Sequence, residues 1–273
     1  MKTKTKINFA KLIYFFLNIF LKKKQICNRG GIKWLLDLSE GIDLSIFLFG
    51  TSENKIQNLK RLFKLNKKIL ILDIGANIGS VSLPLAKMFY KSKVFAIEPT
   101  NFAFKKLLKN LNLNKELKKR ISIDQLFLSK FNKPKKVWSS WNLDNYKKQH
   151  KIHMGSLNNI KKKSYMSLDN FVKFKKIKKI DFIKLDVDGH ELDILKSGKK
   201  FFKKNKPIIF IEIAPYLYPE FGYRCSELIT YIKKLDYCFY NQDLRKIKNM
   251  QNYVNEITFG GSENFFLIKN YKT

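Results

Sequence analysis

Residues 181–195, with the sequence DFIKLDVDGHELDIL, place acidic side chains and a histidine directly after an apolar run. Carboxylate and imidazole groups can remove a proton from a reacting group, and histidine titrates near neutral pH. We therefore predict Asp186, Asp188 and His190 as catalytic residues, with the base left open among them. Each also has a structural reading: Asp186 could close a strand, Asp188 and Glu191 could favour the N-terminus of the next helix, and His190 could be a loop residue.

The same acids allow a metal-dependent version of this site. With Glu212, at the end of the run PIIFIEI, they could hold Mg²⁺ through oxygen ligands. The sequence shows no zinc or disulfide pattern, because its three cysteines form no C-x-x-C pair, and this usage fits a reducing compartment. His150 and His153 form an isolated H-x-x-H, which we predict to be solvated loop residues.

A glycine loop, DIGANIG, contains Asp73, Gly75, Asn77 and Gly79 and joins a β-rich apolar run to a helix. Gly75 permits a tight turn, Asn77 tolerates positive φ, and Gly79 permits close approach of the helix to the sheet. Glu98 ends the next apolar run, where a carboxylate can accept both hydroxyls of a ribose. This combination predicts a nucleoside-containing ligand.

The charge of the loop distinguishes two such ligands. A dinucleotide requires G-x-G-x-x-G and a helix N-terminus open to pyrophosphate, but this loop has Ala76 and Asn77 around the position of the middle glycine. Asp73 would repel a pyrophosphate and suit a cation. S-adenosylmethionine carries a sulfonium and an ammonium group and no phosphate, so we predict it as the cofactor.

The elements that must position these residues alternate between strands and helices. Five apolar β-rich runs begin near residues 68, 93, 120, 179 and 206, with helical patterns between them, and two further strands follow. This order predicts an α/β, doubly wound, mostly parallel sheet that binds ligands at the carboxyl ends of its strands. Residues 130–163 are predicted to form a long loop with one hairpin, and residues 53–63 a helix.

Three segments resemble the FkbM family of S-adenosylmethionine-dependent methyltransferases: LDIGANIGSVSL, FAIEP, and DFIKLDVDGHELDILKSG followed by PIIFIEI. The resemblance implies a class I methyltransferase, Rossmann-like fold with strand order 3-2-1-4-5-7-6. It also implies O-methylation of a sugar, glycan or secondary metabolite, as in polysaccharide biosynthesis. The family commonly has V-E-G where this chain has Asp188, so the carboxylate is one carbon shorter.

By position, the resemblance also assigns the cofactor contacts. Asp73, Gly75, Asn77 and Gly79 would hold the methionine end of the cofactor and Glu98 its ribose. The end of the third strand, at Phe127 to Ser129 and including Leu128, would flank the adenine. We divide the chain into an N-terminal amphipathic helix and cap region (residues 1–66) and a methyltransferase domain (residues 67–273).

The net charge of +33 raises the alternative of a nucleic-acid methyltransferase. Two observations count against specific nucleic-acid binding. Only five of the 55 basic residues are arginines, which bidentate phosphate and base recognition favours. The fourth strand ends in LDVDGHE rather than in the Pro-Pro-aromatic motif of amino-methylating enzymes. A catalytically inactive, membrane-attached cofactor-binding protein is a further alternative.

The N-terminal segment is apolar from Ile7 to Leu21 and is followed by lysines. It contains Lys11, is short for a spanning helix, and precedes no recognisable cleavage site. Two interpretations remain open. Residues 7–24 could lie on an anionic membrane, or the helix could pack on its own domain or on a second subunit. We expect a cytoplasmic protein that contacts the inner face of the membrane peripherally.

Overall fold

The computed structural model describes residues 3–130, 134, 136–144, 155–160 and 165–269, and His150 and His153 lie outside them. A seven-stranded sheet with strand order 3-2-1-4-5-7-6 forms its centre. The strands are β1 (Leu70–Ile74), β2 (Lys93–Ile97), β3 (Ile121–Asp124), β4 (Phe182–Leu185), β5 (Ile208–Ile213), β6 (Tyr237–Tyr240) and β7 (Glu263–Lys269). Strands β1 to β5 pair in parallel, whereas β7 pairs antiparallel with both β5 and β6. The predicted fold class and strand order are therefore confirmed.

Helices flank both faces of the sheet. Pro84 lies in the first turn of the helix Ser82–Met88, where proline is tolerated. Ser167 caps α6 by accepting a hydrogen bond from the backbone N–H of Asn170, as its residue type predicts. The helices are α1 (Thr3–Phe20), α2 (Gly41–Phe49), α3 (Ser82–Met88), α4 (Asn101–Leu113), α5 (Lys115–Lys118), α6 (Leu168–Phe174), α7 (Glu191–Ser197), α8 (Lys199–Lys204), α9 (Cys225–Lys234) and α10 (Met250–Asn255), with 3₁₀ segments at Asn54–Arg61 and Tyr218–Phe221.

Several element boundaries differ from the predictions. The third sheet strand ends at Asp124, and the following Phe127–Leu128 pairs separately with Tyr165–Met166. The segment predicted as a helix near residues 53–63 is a 3₁₀ turn. In the described part of residues 130–163, Lys136–Trp141 and Gly155–Asn159 pair antiparallel, as expected for one hairpin.

The N-terminal region packs on the sheet. It contains an antiparallel hairpin of Lys24–Arg29 and Ile32–Asp37 that the sequence did not predict. Trp34 from this hairpin is fully buried in one core cluster with Ile71 and Phe182 of the sheet. The backbone N–H of Leu35 also donates to the Asn110 side chain in α4. The two regions therefore share a hydrophobic core, and their division into domains at residue 66 stays a prediction.

Candidate functional site

The glycine loop after β1 is shaped by residues with positive φ. Gly75, Asn77 and Gly79 have φ values of +81°, +50° and +90°. A Cβ atom on Gly75 would lie 1.9 Å from the carbonyl oxygen of Asp186, so this position admits glycine only. A Cβ on Gly79 would instead meet the side chains of Leu83 and Leu107. The loop is therefore held directly against the end of β4.

Lys184 bridges the carboxyl ends of β1 and β4, and the sequence analysis did not identify it. This buried lysine lies opposite Asp73 in the β4–β1 register. Its Nζ donates to the Gly75 carbonyl oxygen at 2.9 Å and lies 3.0 Å from Asp186 Oδ2 and 3.9 Å from Asp73 Oδ1. Burial alone would lower the pKa of Lys184, but the carboxylates of Asp186 and Asp73 raise it above its usual value. The sequence signal that could have identified Lys184 is a single lysine within the otherwise apolar run FIKL.

Asp73 lies beneath the loop rather than on the surface that a ligand would contact. It is completely buried, and its Oδ2 accepts a hydrogen bond of 2.5 Å from the Ser82 hydroxyl. Burial raises the pKa of Asp73, while Lys184 and Ser82 oppose that effect. These contacts make Asp73 a residue that can position the loop and the lysine.

Glu98 occupies the end of β2 on the neighbouring side of the loop. Its Oε2 accepts from the backbone N–H of Asn77 at 3.0 Å, and its Oε1 accepts from the backbone N–H and hydroxyl of Thr100 at 2.9 and 2.5 Å. Burial raises the pKa of Glu98, and these hydrogen bonds oppose the shift. The carboxylate is thereby fixed in one orientation.

A cavity of about 320 Å³ lies at this carboxyl edge of the sheet, within the size range of small-molecule sites. Of the predicted site residues, the structure brings together Gly75, Asn77, Glu98, Asp186 and Asp188 on its wall. The predicted site residues that do not line it are Asp73, Gly79, Leu128, Ser129 and His190.

The cavity is acidic in a protein that is otherwise strongly basic. Lys184 is the one basic side chain among the described residues that line it, whereas the acidic ones are Glu53, Glu98, Asp186, Asp188 and Glu212. Such a site attracts cations and repels phosphate groups.

Three of these carboxylates form a tight group. One oxygen from each of Asp186, Asp188 and Glu212 lies within 4.8 Å of the others. Burial, followed by repulsion from Asp186 and Asp188, raises the pKa of Glu212 well above its usual value. Its Oε1 accepts a hydrogen bond of 2.6 Å from the Ser262 hydroxyl. This group can accept a proton from a substrate hydroxyl, and its oxygen ligands also suit a divalent cation.

The N-terminal region contributes Glu53 to the same cavity, which no local sequence pattern indicated. Its Oε2 accepts a hydrogen bond of 2.8 Å from the Asn264 side chain of β7. Burial and then the Asp186 carboxylate raise the pKa of Glu53 to about 7, with Lys184 opposing. A residue far away in sequence therefore faces the acids that follow β4.

His190 lies outside this cavity, although it follows Asp188 by only two residues. Its ring packs between those of Phe127 and Phe221, at centroid distances of 4.9 and 4.3 Å, and it lines a separate cavity. Burial lowers the pKa of His190 to about 4, so its imidazole is neutral and a weak base near pH 7. His190 and the three clustered carboxylates therefore line different cavities.

Glu191 is also turned into the protein. Its Oε1 accepts from the backbone N–H groups of Val187 and Gly189 at 3.2 and 3.3 Å. Burial raises the pKa of Glu191 to about 8. These contacts hold the turn in which Asp188 and Gly189 adopt φ of +48° and +99°. Glu191 therefore supports the loop that presents Asp188.

Of the segment predicted to flank an adenine, Phe127 lines the cavity and the next two residues do not. Leu128 is buried in the core. The Ser129 hydroxyl donates to Asp193 Oδ2 at 2.5 Å. The separation follows from β3 ending at Asp124, because the chain then turns to pair with Tyr165–Met166.

Residues 73–239 match the family model described as the methyltransferase FkbM domain. The tRNA(Phe) (4-demethylwyosine(37)-C(7)) aminocarboxypropyltransferase of Pyrococcus horikoshii is 37% identical over 86 residues. That alignment covers 31% of this chain and only 28% of the length of that curated relative.

Solved structures similar to this chain include a methyltransferase FkbM and a TYW2. Methyltransferase FkbM from Methylobacillus flagellatus KT is 16% identical, with a TM-score of 0.47, and the alignment covers 76% of this chain and 45% of that one. M. jannaschii TYW2 in complex with AdoMet is 16% identical, with a TM-score of 0.42, and the alignment covers 90% of this chain and 85% of that one.

Proposed function

The chain belongs to the FkbM methyltransferase family, and from that premise we propose that it transfers the methyl group of S-adenosylmethionine to a hydroxyl oxygen. The acceptor is a sugar, a glycan or a secondary metabolite. The observation that carries this proposal is the acidic cavity at the carboxyl edge of β1, β4 and β5, where the glycine loop meets Asp186 and Asp188.

The negative charge of the cavity wall complements the positive charges of the cofactor. When bound, S-adenosylmethionine supplies an electrophilic methyl group on a sulfonium. Gly75 and Asn77 offer backbone at the cavity wall, Glu98 offers a fixed carboxylate for hydroxyl groups, and Asp186 offers a carboxylate for an ammonium group. Asp73 and Lys184 act from below by holding the loop.

Proton removal falls to the carboxylates that follow β4 and end β5. A sugar hydroxyl is a weak acid, so a base that accepts its proton during transfer accelerates the reaction by roughly 10²–10⁴-fold. Asp186 is ion-paired with Lys184, which engages its carboxylate and fixes its position. We assign proton acceptance to Asp188, with Glu212 beside it, and orientation to Asp186. His190 has no part in this assignment because it lies in a separate cavity.

A second candidate function comes from the curated relative, which transfers an aminocarboxypropyl group to tRNA. Such a reaction would use another carbon of the same sulfonium compound. The acidic cavity wall disfavours it, because its ionised carboxylates repel the phosphates of a nucleic acid that approaches the reacting centre. The basic surface outside the cavity leaves non-specific contact with RNA open to test.

The by-product separates these functions. The purified chain is incubated with S-adenosylmethionine labelled in its methyl group and with a panel of sugar nucleotides, polysaccharides and total tRNA. We expect S-adenosylhomocysteine and label in a sugar or small-molecule acceptor. Methylthioadenosine and unlabelled, modified tRNA would establish the second candidate instead.

Heat-treated protein and an Asp188→Asn variant provide the controls for chemical background. Label in tRNA together with S-adenosylhomocysteine would identify a nucleic-acid methyltransferase and overturn the acceptor class but not the cofactor. Cofactor binding without turnover on any acceptor in the panel would support an inactive binding protein.

A further inference from the structure

Helix α1 has two apolar faces, and one of them is covered by the protein itself. Ile7 is buried against Leu44 of α2 and Leu143, and Tyr14 and Leu17 pack beside them. This face explains why the helix is held against the domain. One side of α1 therefore packs on its own domain, which was one of the two interpretations of the sequence.

The other face is apolar and open to solvent. Six large side chains on it are each between 55% and 83% exposed. Exposed apolar clusters of this kind mark interaction sites, whereas singly scattered apolar residues do not. The aromatic face of α1 is defined by Phe9, Leu12, Phe15, Phe16, Ile19 and Phe20.

Positive charge surrounds the aromatic face. No aspartate or glutamate precedes Asp37 in the sequence, although lysines are frequent there. Lys22, Lys23 and Lys24 follow the helix directly and are exposed beside Phe20, and Lys23 also pairs with Asp144. Ile26, on the next strand, is exposed as well. Aromatic rings next to lysines are the composition of helices that bind the interface of an anionic bilayer.

We propose that the aromatic face of α1 docks on an anionic lipid bilayer, with α1 parallel to the membrane plane. The rings enter the boundary between headgroups and acyl chains, and Lys22 and Lys24 contact lipid phosphates. Within the part of the chain that the structure describes, no helix is long and apolar enough to cross a membrane. Docking uses the aromatic face, because the opposite face of the helix already packs on Leu44 and Leu143.

Charge argues for a bilayer over a second copy of the chain as the occupant. Two molecules that each carry a net charge of +33 repel each other, and the same charge attracts an anionic surface. The first 36 residues add only positive charge at the contact itself. This inference does not depend on the proposed function, because none of these residues lines the cavity.

Vesicle co-sedimentation of the full chain tests the proposal. Vesicles of phosphatidylcholine alone are compared with a phosphatidylcholine–phosphatidylglycerol mixture at low and high salt. We expect binding to the mixture, weaker binding at high salt, and little binding to phosphatidylcholine. The double variant Phe16→Ser/Phe20→Ser should weaken binding by about tenfold or more. Lys22→Gln/Lys24→Gln should weaken binding to the anionic vesicles and flatten the salt dependence.

Phe174→Ser/Phe259→Ser is the matched control, because both rings are as exposed as those of α1 but lie elsewhere. This variant should bind like the parent, and circular dichroism should show every variant folded. An equal loss in the control would overturn the proposal, since the binding would then be unspecific. Absence of parent binding to any vesicle would also overturn it. Concentration-dependent dimers that only the Phe16→Ser/Phe20→Ser change removes would show that a second copy covers the face.

Discussion

The turn between β4 and α7 has two sides that differ in their surroundings more than in their residue types. On the cavity side, Asp186 and Asp188 are partly accessible and lie with Glu212 around open space. On the inner side, His190 and Glu191 are almost completely buried and contact rings and backbone. Acidic and imidazole groups occur together in the sequence, but only the cavity side lines the proposed active site.

In the proposed function, one short segment holds both the residues assigned to the chemistry and the residues that support them. Lys184 neutralises charge beneath the cavity side, and Glu191 holds the turn from the inner side. The positive φ values of Asp188 and Gly189 redirect the chain between the two. Substitutions on the cavity side should therefore change turnover, and those on the inner side should change stability.

The largest effect is expected from Asp188→Asn and Asp186→Asn, which preserve shape and remove charge. On the acceptor found in the labelling screen, at least one of them should reduce turnover by roughly 10²-fold or more. Affinity for S-adenosylhomocysteine should stay within a few-fold in Asp188→Asn, whereas Asp186→Asn should weaken it, because Asp186 is the carboxylate assigned to the ammonium group. Steady-state kinetics and calorimetry on the same preparations measure both quantities. Parent-like turnover in both variants would remove the carboxylates from the chemistry.

Gly75→Ala should break the contact that brings the two strand ends together. Its new Cβ would overlap the Asp186 carbonyl oxygen, so we expect a loss of stability and of cofactor binding. Gly222→Ala is the matched control, because its φ is +77° and no atom lies within 4 Å of the new Cβ. Both variants incur left-handed strain of roughly 1–2 kcal/mol. Gly75→Ala should lose roughly 1–3 kcal/mol more in denaturant titrations. Equal losses of stability in the two variants would mean that the close approach of Gly75 to Asp186 is not required.

Sequence patterns predicted most of the sheet because apolar runs, glycine turns and helical spacing are local signals. They placed Asp186 and Glu98 at strand ends, where the structure also has them. They could not separate Asp188 from His190, because the side on which each lies depends on the φ values of the turn. Glu53 was not predictable, since its place in the cavity depends on long-range packing. Lys184 could have been noticed, because a lysine within a buried strand requires partners.

The inner side should be visible in the pH dependence of stability. The pKa of His190 is about 4 in the folded protein, against an ordinary 6.5. Between these values only the unfolded chain takes up the proton, so stability falls as pH decreases through that window. His190→Gln should reduce this fall.

Glu191 should act in the opposite direction. Its pKa is about 8 in the folded protein, against an ordinary 4.5, so the folded form retains a proton that the unfolded chain releases. Stability therefore falls as pH rises from about 4.5 to 8, and Glu191→Gln should reduce this fall. Urea unfolding at several pH values measures both slopes. Slopes identical to those of the parent in both variants would contradict the assignment of these groups to the inner side.

The smallest effect is expected from a chelator. Lys184 lies 3.0 Å from Asp186 and supplies the positive charge that a cation would otherwise supply to this carboxylate. Turnover after treatment with EDTA should therefore stay within about twofold of the untreated protein. Abolished turnover that returns with Mg²⁺ would assign Asp186, Asp188 and Glu212 to a metal site.

Calorimetric titration of the purified chain with S-adenosylmethionine, S-adenosylhomocysteine and NAD tests the central claim most directly. The Asp73–Lys184 pair beneath the glycine loop, the fixed Glu98 carboxylate and the acidic cavity wall predict binding of both sulfur compounds and no binding of NAD. Glu98→Ala should weaken the binding of both, because it removes the acceptor placed for hydroxyl groups. Binding of NAD without binding of either sulfur compound would contradict the account.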